Sequence, residues 1–373
     1  MLRLFVRVVG LVVLWSASHC SLALHVGAQE VVQEEEAEVE ARGVSLDVEH
    51  ASRLLLDLGT GQQIYQCDRG TFLLSDNDLH ISRSLKAFGS YDDECLSTVL
   101  NLIRPGDVVL DIGANIGSFT VPMAAKVATG DDHAGGMVFA FEALQMNFHA
   151  LAANLALNGL SMYVHAQVAA LDEEDGKVFN IPRIDSRTAA NFGSISLPRA
   201  SRAVDSIDAS LPGNVRVLSD RLVTRTLDSF DFPKCPSLIK IDVETMEVPV
   251  LKGGVKMLEL CRPIIHAENN CVKTSPPLLE LFTAMDYTCY WDVHQLRNPN
   301  SASGVLTSIN NLCLPSERVY DAANAPDDTD GKVNLLNYVQ VLPGRPLLSQ
   351  YPGMGQQEGN MESCDLSTFT TAQ

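Results

Sequence analysis

Residues 106–117 read GDVVLDIGANIG, and this stretch decides the fold. Val108–Ile112 is an apolar run interrupted only by Asp111, and Ile116–Val127 then carries apolar residues at helical spacing. A buried strand, a glycine turn and a helix in this order are typical of the opening unit of a parallel α/β sheet.

The alternation of strands and helices continues along the chain. It predicts a mostly parallel, doubly wound sheet, in which ligands bind at the carboxyl ends of the strands. The further predicted strands are Met137–Phe141, Met162–Val168, Leu238–Val243, Pro263–Ala267, Tyr287–Val293 and Asn311–Leu314, and the further helices are Gln145–Leu157, Met246–Leu260 and Pro277–Met285.

Charge and composition exclude several classes of protein. The 373 residues include 46 Asp and Glu against 27 Lys and Arg, a formal net charge of −19. Such a surface repels phosphate backbones, so no nucleic-acid partner is expected. The same charge argues against docking on anionic lipid through a basic patch. A hydrophobic content of 46% supports a globular core.

The two ends of the chain differ from the middle. Residues 1–23, with Arg3 and Arg7 before an apolar run, are interpreted as a secretory signal peptide or an uncleaved anchor, so a lumenal, secreted or membrane-anchored protein is expected. Membrane contact is expected only if this segment is uncleaved. The remaining boundaries are an acidic linker at 24–48, a β/α extension at 49–106, the main domain at 107–342 with an inserted segment at 172–236, and a disordered tail at 343–373.

Nine cysteines are present, and an oxidising lumen would permit disulfides. Cys261, Cys289 and Cys313 lie in or beside apolar runs, where buried free thiols are the expected state.

The glycine turn indicates a nucleoside ligand. Gly113 and Gly117 let the backbone approach a ligand closely, and Glu142 at the end of the next strand is placed to accept both hydroxyls of a ribose. Dinucleotide sites use G-x-G-x-x-G, whereas here Asp111 precedes the first glycine and Asn115 takes the third position. A carboxylate suits the cationic end of S-adenosylmethionine better than a pyrophosphate, so adenosylmethionine is favoured over NAD.

Four ordered blocks make the sequence resemble the FkbM-type methyltransferases. They are residues 106–117, Phe141-Glu142-Ala143 with Asn154 and Asn158, Thr226-Leu227-Asp228, and the run from Ile239 to Gly253, which Arg262-Pro263 and Glu268 follow. The resemblance implies a class I methyltransferase fold, S-adenosylmethionine as cofactor and a hydroxyl oxygen on a small molecule or glycan as acceptor. It implies that Asp111, Gly113, Asn115 and Gly117 line the methionine end of the cofactor and that Glu142 binds the ribose, with Tyr91 and Glu94 helping to close the site.

Two positions depart from the family pattern. Ala143 replaces a common proline, and Thr245 replaces a common glycine at the mouth of the site. Thr245 is interpreted as an N-cap of the following helix, or as a residue that narrows the acceptor pocket or changes the backbone there.

Candidate catalytic residues follow the fourth and fifth strands. Asp242 is the first choice for the general base and Glu268 the second, with Lys240 orienting Asp242. Asp242, Glu268 and Asn269 also offer oxygen ligands for a divalent cation, in a placement similar to that of catechol-type O-methyltransferases. Two alternatives stay open: a methyltransferase-like protein that binds without catalysis, and an NAD-dependent oxidoreductase.

Overall fold

The computed structural model describes residues 52–129, 135–211, 216–271, 273–297, 299, 305–319 and 339–341. The strands are β1 Arg53–Asp57, β2 Gln62–Cys67, β3 Gly70–Ser75, β4 Val108–Ile112, β5 Met137–Glu142, β6 Val164–Val168, β7 Ala170–Leu171, β8 Val178–Pro182, β9 Ser219–Arg225, β10 Leu238–Ile241, β11 Ile264–Glu268, β12 Tyr287–Arg297, β13 Val305–Pro315 and β14 Val339–Gln340. The helices are α1 Ile81–Phe88, α2 Asp93–Asn101, α3 Thr120–Ala128, α4 Gln145–Leu157, α5 Leu197–Ser210, α6 Glu247–Lys252, α7 Val255–Cys261 and α8 Ser275–Ala284.

An eight-stranded sheet forms the centre, in the order β14-β12-β13-β11-β10-β4-β5-β6. The neighbours from β11 to β6 pair in parallel, and β13 pairs antiparallel with both β11 and β12. If the strands of this sheet are renumbered 1–7 in chain order, leaving out the short β14, their order across the sheet is 3-2-1-4-5-7-6. The seventh of them is β13, the strand that is antiparallel to both of its neighbours. This is the class I methyltransferase arrangement, so the predicted fold class is confirmed.

Strand β4 lies inside the sheet, between β10 and β5, and both of its faces are covered. All five of its residues are buried, as expected for a parallel strand with helices on either side. Lys240 in β10 pairs in register with Asp111 in β4 on one side and with His266 in β11 on the other. Three polar side chains therefore share one row across the buried centre of the sheet.

A three-stranded antiparallel sheet, β1-β2-β3, precedes the main sheet and packs against α4. Two asparagines make this contact: Asn154 within α4 and Asn158, the residue that caps its C-terminus. The side chain of Asn154 accepts the N–H of Leu73 at 2.6 Å and donates to the carbonyl of Ile116 at 2.7 Å. Asn158 makes the same paired bonds to the backbone of Thr71. Strand β3, α4 and the glycine turn are thus joined through side-chain amides.

Asn154→Ala is expected to lower the free energy of unfolding by about 2–3 kcal/mol, because it leaves a buried N–H and a buried carbonyl unpaired. Asn158→Ala, at a half-buried position, is expected to cost less. Urea unfolding of both variants measures the difference. Equal costs, or a negligible cost for Asn154→Ala, would contradict this role.

Part of the predicted insertion at 172–236 forms a small layer of its own. Strand β9 pairs antiparallel with β8 and in parallel with β7, and α5 packs on β8. Leu197, Ile181 and Ala170 share a hydrophobic cluster with Leu144 and Met246, which follow strands of the main sheet. The segment is therefore held against the carboxyl edge of the sheet. The domain boundaries themselves stay a prediction.

Two predicted helices begin or end differently in the structure. The helix predicted over Ile116–Val127 begins at Thr120, because Asn115 and Gly117 have φ of 51° and 90°, outside the helical range. The helix predicted over Met246–Leu260 is divided into α6 and α7. A Cβ on Gly253 would lie 2.1 Å from the carbonyl oxygen of Asp172, so the backbone must pass this point closely.

Two disulfides correct the prediction of free thiols at Cys261, Cys289 and Cys313. Cys235 is bonded to Cys261, and Cys289 is bonded to Cys313 on the paired strands β12 and β13. Sequence position alone could not reveal that β12 and β13 place the last two cysteines opposite each other.

The signal segment 1–23, the linker 24–48 and the tail 343–373 lie outside the described residues. Within the described ranges, no helix combines the length and apolarity needed to cross a membrane.

Candidate active site

A cavity lies at the carboxyl ends of β4, β5, β10 and β11, the edge at which parallel sheets bind ligands. Water can occupy about 140 Å³ of it. Its walls come from the turns after these strands, from α1 and the segment between α1 and α2 on one side, and from the small layer on the other. The polar residues among them are Tyr91, Asn115, Ser118, Glu142, Asn147, Asn191, Lys240, Asp242, Glu244 and Glu268.

The glycine turn forms the floor of the cavity. Gly113 has φ of 85°, and a Cβ there would lie 1.8 Å from the carbonyl oxygen of Asp242. Glycine is therefore required at this position because the end of the neighbouring strand lies so close, whether or not a ligand is bound. Gly117 does not line the cavity: its α-carbon faces Leu151 of α4, which a Cβ would approach to 2.7 Å. Its role is helix packing.

Glu142 lies at one end of the cavity and is bonded to the glycine turn. Its Oε2 accepts the N–H of Asn115 and its Oε1 the N–H of Leu144, both at 2.8 Å. Burial raises its pKa to about 7, although these two bonds favour the ionised form. Each carboxylate oxygen keeps a second lone pair, so Glu142 can accept two further hydrogen bonds.

Asp111 is fully buried and does not line the cavity. Its Oδ2 accepts a hydrogen bond from the Thr120 hydroxyl at 2.6 Å, and its Oδ1 lies 3.8 Å from the Nζ of Lys240. Burial raises the pKa of Asp111. Its carboxylate therefore reaches a ligand only through Lys240, so direct repulsion by Asp111 is no argument against a pyrophosphate ligand.

Lys240 connects Asp111 to the cavity. Its Nζ lies 3.4 Å from Asp242 Oδ2 and 3.4 Å from the carbonyl oxygen of Gly113, and 5.1 Å above the ring of Phe119. Burial lowers the pKa of Lys240, but the carboxylates of Asp242 and Asp111 outweigh it and the net direction is upward. The lysine is therefore a fixed cation that orients Asp242.

Three carboxylates, Asp242, Glu244 and Glu268, meet at the other end of the cavity. One oxygen atom of each lies within 4.8 Å of the others. Burial and the neighbouring carboxylates raise the pKa of Glu244 to about 8 and that of Glu268 well above its usual value. The structure brings the predicted candidates Asp242 and Glu268 together, and it adds Glu244 to them.

Asn269 is separate from this acid cluster. It is buried outside the cavity, and its side-chain amide donates to the side-chain oxygen of Asn311. The predicted cation set of Asp242, Glu268 and Asn269 is therefore not assembled. The three oxygens that do converge belong to Asp242, Glu244 and Glu268.

The two upstream candidates have different positions. Tyr91 lines the cavity, and burial raises the pKa of its hydroxyl well above the usual range. Glu94 lies outside it, with a side chain 69% exposed and Oε2 3.1 Å from Nδ1 of His294. The structure thus places Tyr91, and not Glu94, beside a cavity ligand.

Thr245 neither caps a helix nor narrows the cavity. The following helix begins at Glu247, its N-cap position is Met246, and the exposed side chain of Thr245 is not among the lining residues. Instead, Thr245 has φ of 80° directly after Glu244 at 51°. A β-branched residue rarely adopts this conformation, which explains why glycine suits the position.

Thr245→Gly is expected to raise the free energy of unfolding by about 1 kcal/mol, because the strain of a positive φ exceeds the entropy that glycine adds to the unfolded chain. Thr245→Asn is the matched control and should give a smaller gain, since Asn tolerates positive φ. Chemical denaturation measures both. A destabilised Thr245→Gly variant would show that the turn is not strained.

Glu268→Gln is expected to stabilise the ligand-free protein at pH 8 by about 1 kcal/mol or more and to leave it nearly unchanged below pH 4. Because the pKa of Glu268 is raised in the folded protein, folding takes up a proton when the pH lies between the unfolded and the folded pKa of this group. The free energy of unfolding therefore falls as the pH rises through that range. Gln mimics the protonated form and removes that loss. Unfolding at several pH values measures it, with the exposed Glu259→Gln as control; identical pH profiles for both variants would contradict the acid cluster.

Several cavity residues were not singled out from the sequence. Asn191, Gly193, Ile195 and Leu197 come from the segment at 172–236, which was expected to supply walls but not at particular positions. Asn147 in α4 donates from its amide to the carbonyl of Phe192 at 3.2 Å and so fixes this wall. No local pattern marks these residues, because only the packing of the small layer brings them to the cavity.

The comparison with protein families decides the assignment. Residues 111–294 match the methyltransferase FkbM domain. The chain carries an FkbM methyltransferase domain. The matched range begins at Asp111 in β4 and ends at His294 in β12, so it contains the carboxyl ends of all the strands around the cavity. The family predicted from the sequence is confirmed, and with it an S-adenosylmethionine-dependent methyltransferase family and fold.

Solved structures with this fold are distant in sequence. The FkbM methyltransferase of Methylobacillus flagellatus has 14% identity and a TM-score of 0.33, over 55% of this chain and 43% of that one. The SAM-dependent O-methyltransferase of Thermotoga maritima has 12% identity and a TM-score of 0.34, over 61% and 66%. TYW2 of M. jannaschii, in complex with AdoMet, has 14% identity and a TM-score of 0.35, over 71% and 93%. No curated protein matches the sequence significantly.

Proposed function

We propose that the FkbM domain transfers the methyl group of S-adenosylmethionine to a hydroxyl oxygen of a small molecule or glycan. The observation that carries this proposal is that one cavity has two different ends. Glu142 lies at one end, and Asp242 with its acid cluster lies at the other. The residues present fit the cofactor, because Glu142 retains acceptor capacity for two ribose hydroxyls and the Gly113 turn has no side chain toward the cavity floor. When bound, S-adenosylmethionine supplies an electrophilic methyl group.

The acid cluster divides naturally into a base and a neutral donor. Asp242 is the proposed general base, since Lys240 holds its Oδ2 at 3.4 Å. Burial and the nearby carboxylates raise the pKa of Glu268 well above its usual value, which favours its protonated form as a hydrogen-bond donor. Asp242 would take the proton of the acceptor hydroxyl, while Glu268 and Tyr91 would orient that hydroxyl.

The charge of the cavity limits the acceptor. Its described lining contains four carboxylates, those of Glu142, Asp242, Glu244 and Glu268, against the single cation Lys240. Phosphorylated or carboxylated acceptors would be repelled, whereas the hydroxyls of a neutral glycan or small molecule can bond to carboxylates and to the amides of Asn147 and Asn191. The disulfides Cys235–Cys261 and Cys289–Cys313 support a location in the secretory pathway, where such acceptors are available.

A turnover assay over a panel of neutral hydroxyl acceptors tests the proposal. Asp242→Asn is expected to lower kcat about 100-fold or more while S-adenosylhomocysteine still binds. A parallel assay with a chelator, then with added Mg²⁺, tests the cation alternative at Asp242, Glu244 and Glu268. Cofactor binding without turnover on any acceptor would instead support a binding protein that has lost catalysis, and NADH binding without adenosylhomocysteine binding would support the oxidoreductase.

A further inference from the structure

A second cluster of chemically distinctive side chains lies beneath the cavity, in the core of the protein. Cys95 of α2, His266 of β11 and Asp292 of β12 are 3%, 1% and 1% exposed. The Cys95 Sγ lies 3.8 Å from Nε2 of His266, and that nitrogen lies 2.7 Å from Oδ2 of Asp292. The three ligand atoms fall within 4.8 Å of one another. The proposed methyl transfer uses none of these three residues.

We propose that Cys95, His266 and Asp292 form a buried binding site for a zinc-class transition-metal ion. Bond lengths of about 2.0–2.3 Å place the ligand atoms of a tetrahedral zinc site about 3.2–3.8 Å apart. The sulphur–nitrogen separation already falls in that range, and the nitrogen–oxygen separation reaches it with a shift of about half an ångström. A set of one sulphur, one nitrogen and one oxygen favours zinc over Mg²⁺ or Ca²⁺, which require oxygen ligands.

The surroundings of the three residues are those of a metal site. Asp292 uses its other oxygen, Oδ1, to accept a bond from Nε2 of His294 at 2.7 Å, which fixes the carboxylate. The side-chain amide of Asn310 lies 3.7 Å from the Cys95 sulphur through Nδ2. Because the two ends of an amide are interchangeable by a 180° turn, Asn310 can offer its oxygen as a fourth ligand.

A metal ion bound here would take the place of the Cys95 thiol proton, since cysteine binds metals as the thiolate. The ion would then join α2, which follows Tyr91, to β11, which ends at Glu268.

Cobalt substitution of the full-length chain tests this site directly. Co²⁺ is added to chelator-treated protein, and a thiolate-to-cobalt charge-transfer band in the near ultraviolet is expected at one equivalent per chain, with Zn²⁺ displacing it. Cys95→Ser is expected to abolish the band and to weaken Zn²⁺ binding about 100-fold. Cys67→Ser is the matched control, because Cys67 is the other buried free cysteine among the described residues and its sulphur donates to the carbonyl of Leu85. This variant should retain the band.

His266→Gln provides a second variant that does not alter a cysteine, and it should also lose the band. The proposal is overturned if the folded wild-type chain binds Co²⁺ without a charge-transfer band, since this would place the ion on oxygen ligands such as the acid cluster. It is also overturned if no Co²⁺ or Zn²⁺ binds, or if the band survives in Cys95→Ser. Far-ultraviolet circular dichroism establishes that each variant is folded.

Discussion

Gly113→Ala is expected to lower the free energy of unfolding by about 3–5 kcal/mol. The new methyl group would lie 1.8 Å from the carbonyl oxygen of Asp242, which belongs to backbone and cannot swing aside. Overpacking of this kind costs about 1–3 kcal/mol or more, and a positive φ adds about 1–2 kcal/mol for any residue with a Cβ. Urea or guanidinium unfolding gives the value directly.

Gly176→Ala separates the two contributions. Gly176 has φ of 88°, close to the 85° of Gly113, but a Cβ there would meet nothing within 4 Å. The control therefore contains the backbone strain without the collision and should cost about 1–2 kcal/mol. If both variants lost the same stability, that result would contradict the close contact between Gly113 and the carbonyl oxygen of Asp242.

Glu142→Gln is expected to weaken the binding of S-adenosylhomocysteine about 100-fold. Replacing the carboxylate removes charge-assisted bonds to the ribose, each worth about 1.5–3 kcal/mol, and leaves an amide donor facing a hydroxyl or the N–H of Asn115. Glu94→Gln is the control, because its exposed side chain lies outside the cavity. Its affinity should stay within about twofold of wild type; an equal loss in both variants would contradict the placement of the ribose site.

The same residue gives the cofactor affinity a pH dependence. Because burial raises the pKa of Glu142 to about 7, part of the population is protonated at neutral pH and accepts fewer hydrogen bonds. Affinity for S-adenosylhomocysteine should therefore rise from pH 6 to pH 8 in the wild type and stay flat in Glu142→Gln. Calorimetric titration at three pH values measures this trend, and a wild-type affinity independent of pH would contradict it.

The sheet and its ligand-binding edge were predictable because local patterns specify them. The strand Val108–Ile112 and the helix Gln145–Leu157 have the same bounds in prediction and structure, and the order of strands and helices predicted the fold. A buried parallel strand is apolar over its whole length, so its signal does not depend on partners. The position of Glu142 at the end of β5 followed from the same reasoning.

The direction of individual side chains was less predictable. Asp111 turns away from the cavity and Gly117 packs on α4, although both stand in the motif that identifies the family. Thr245 looked like an N-cap because the sequence does not reveal its φ of 80°. The direction of a side chain depends on a neighbour that the local sequence does not show. Asp111 faces Lys240 of β10 and Gly117 faces Leu151 of α4, and both neighbours lie far away along the chain.

Calorimetric titration of the full chain with S-adenosylhomocysteine tests the central claim most directly. The cavity between Glu142 and Asp242 predicts one site per chain with micromolar affinity, strongly reduced in Glu142→Gln and retained in Asp242→Asn. A folded chain that takes up no S-adenosylhomocysteine would contradict the assignment of this cavity as the cofactor site.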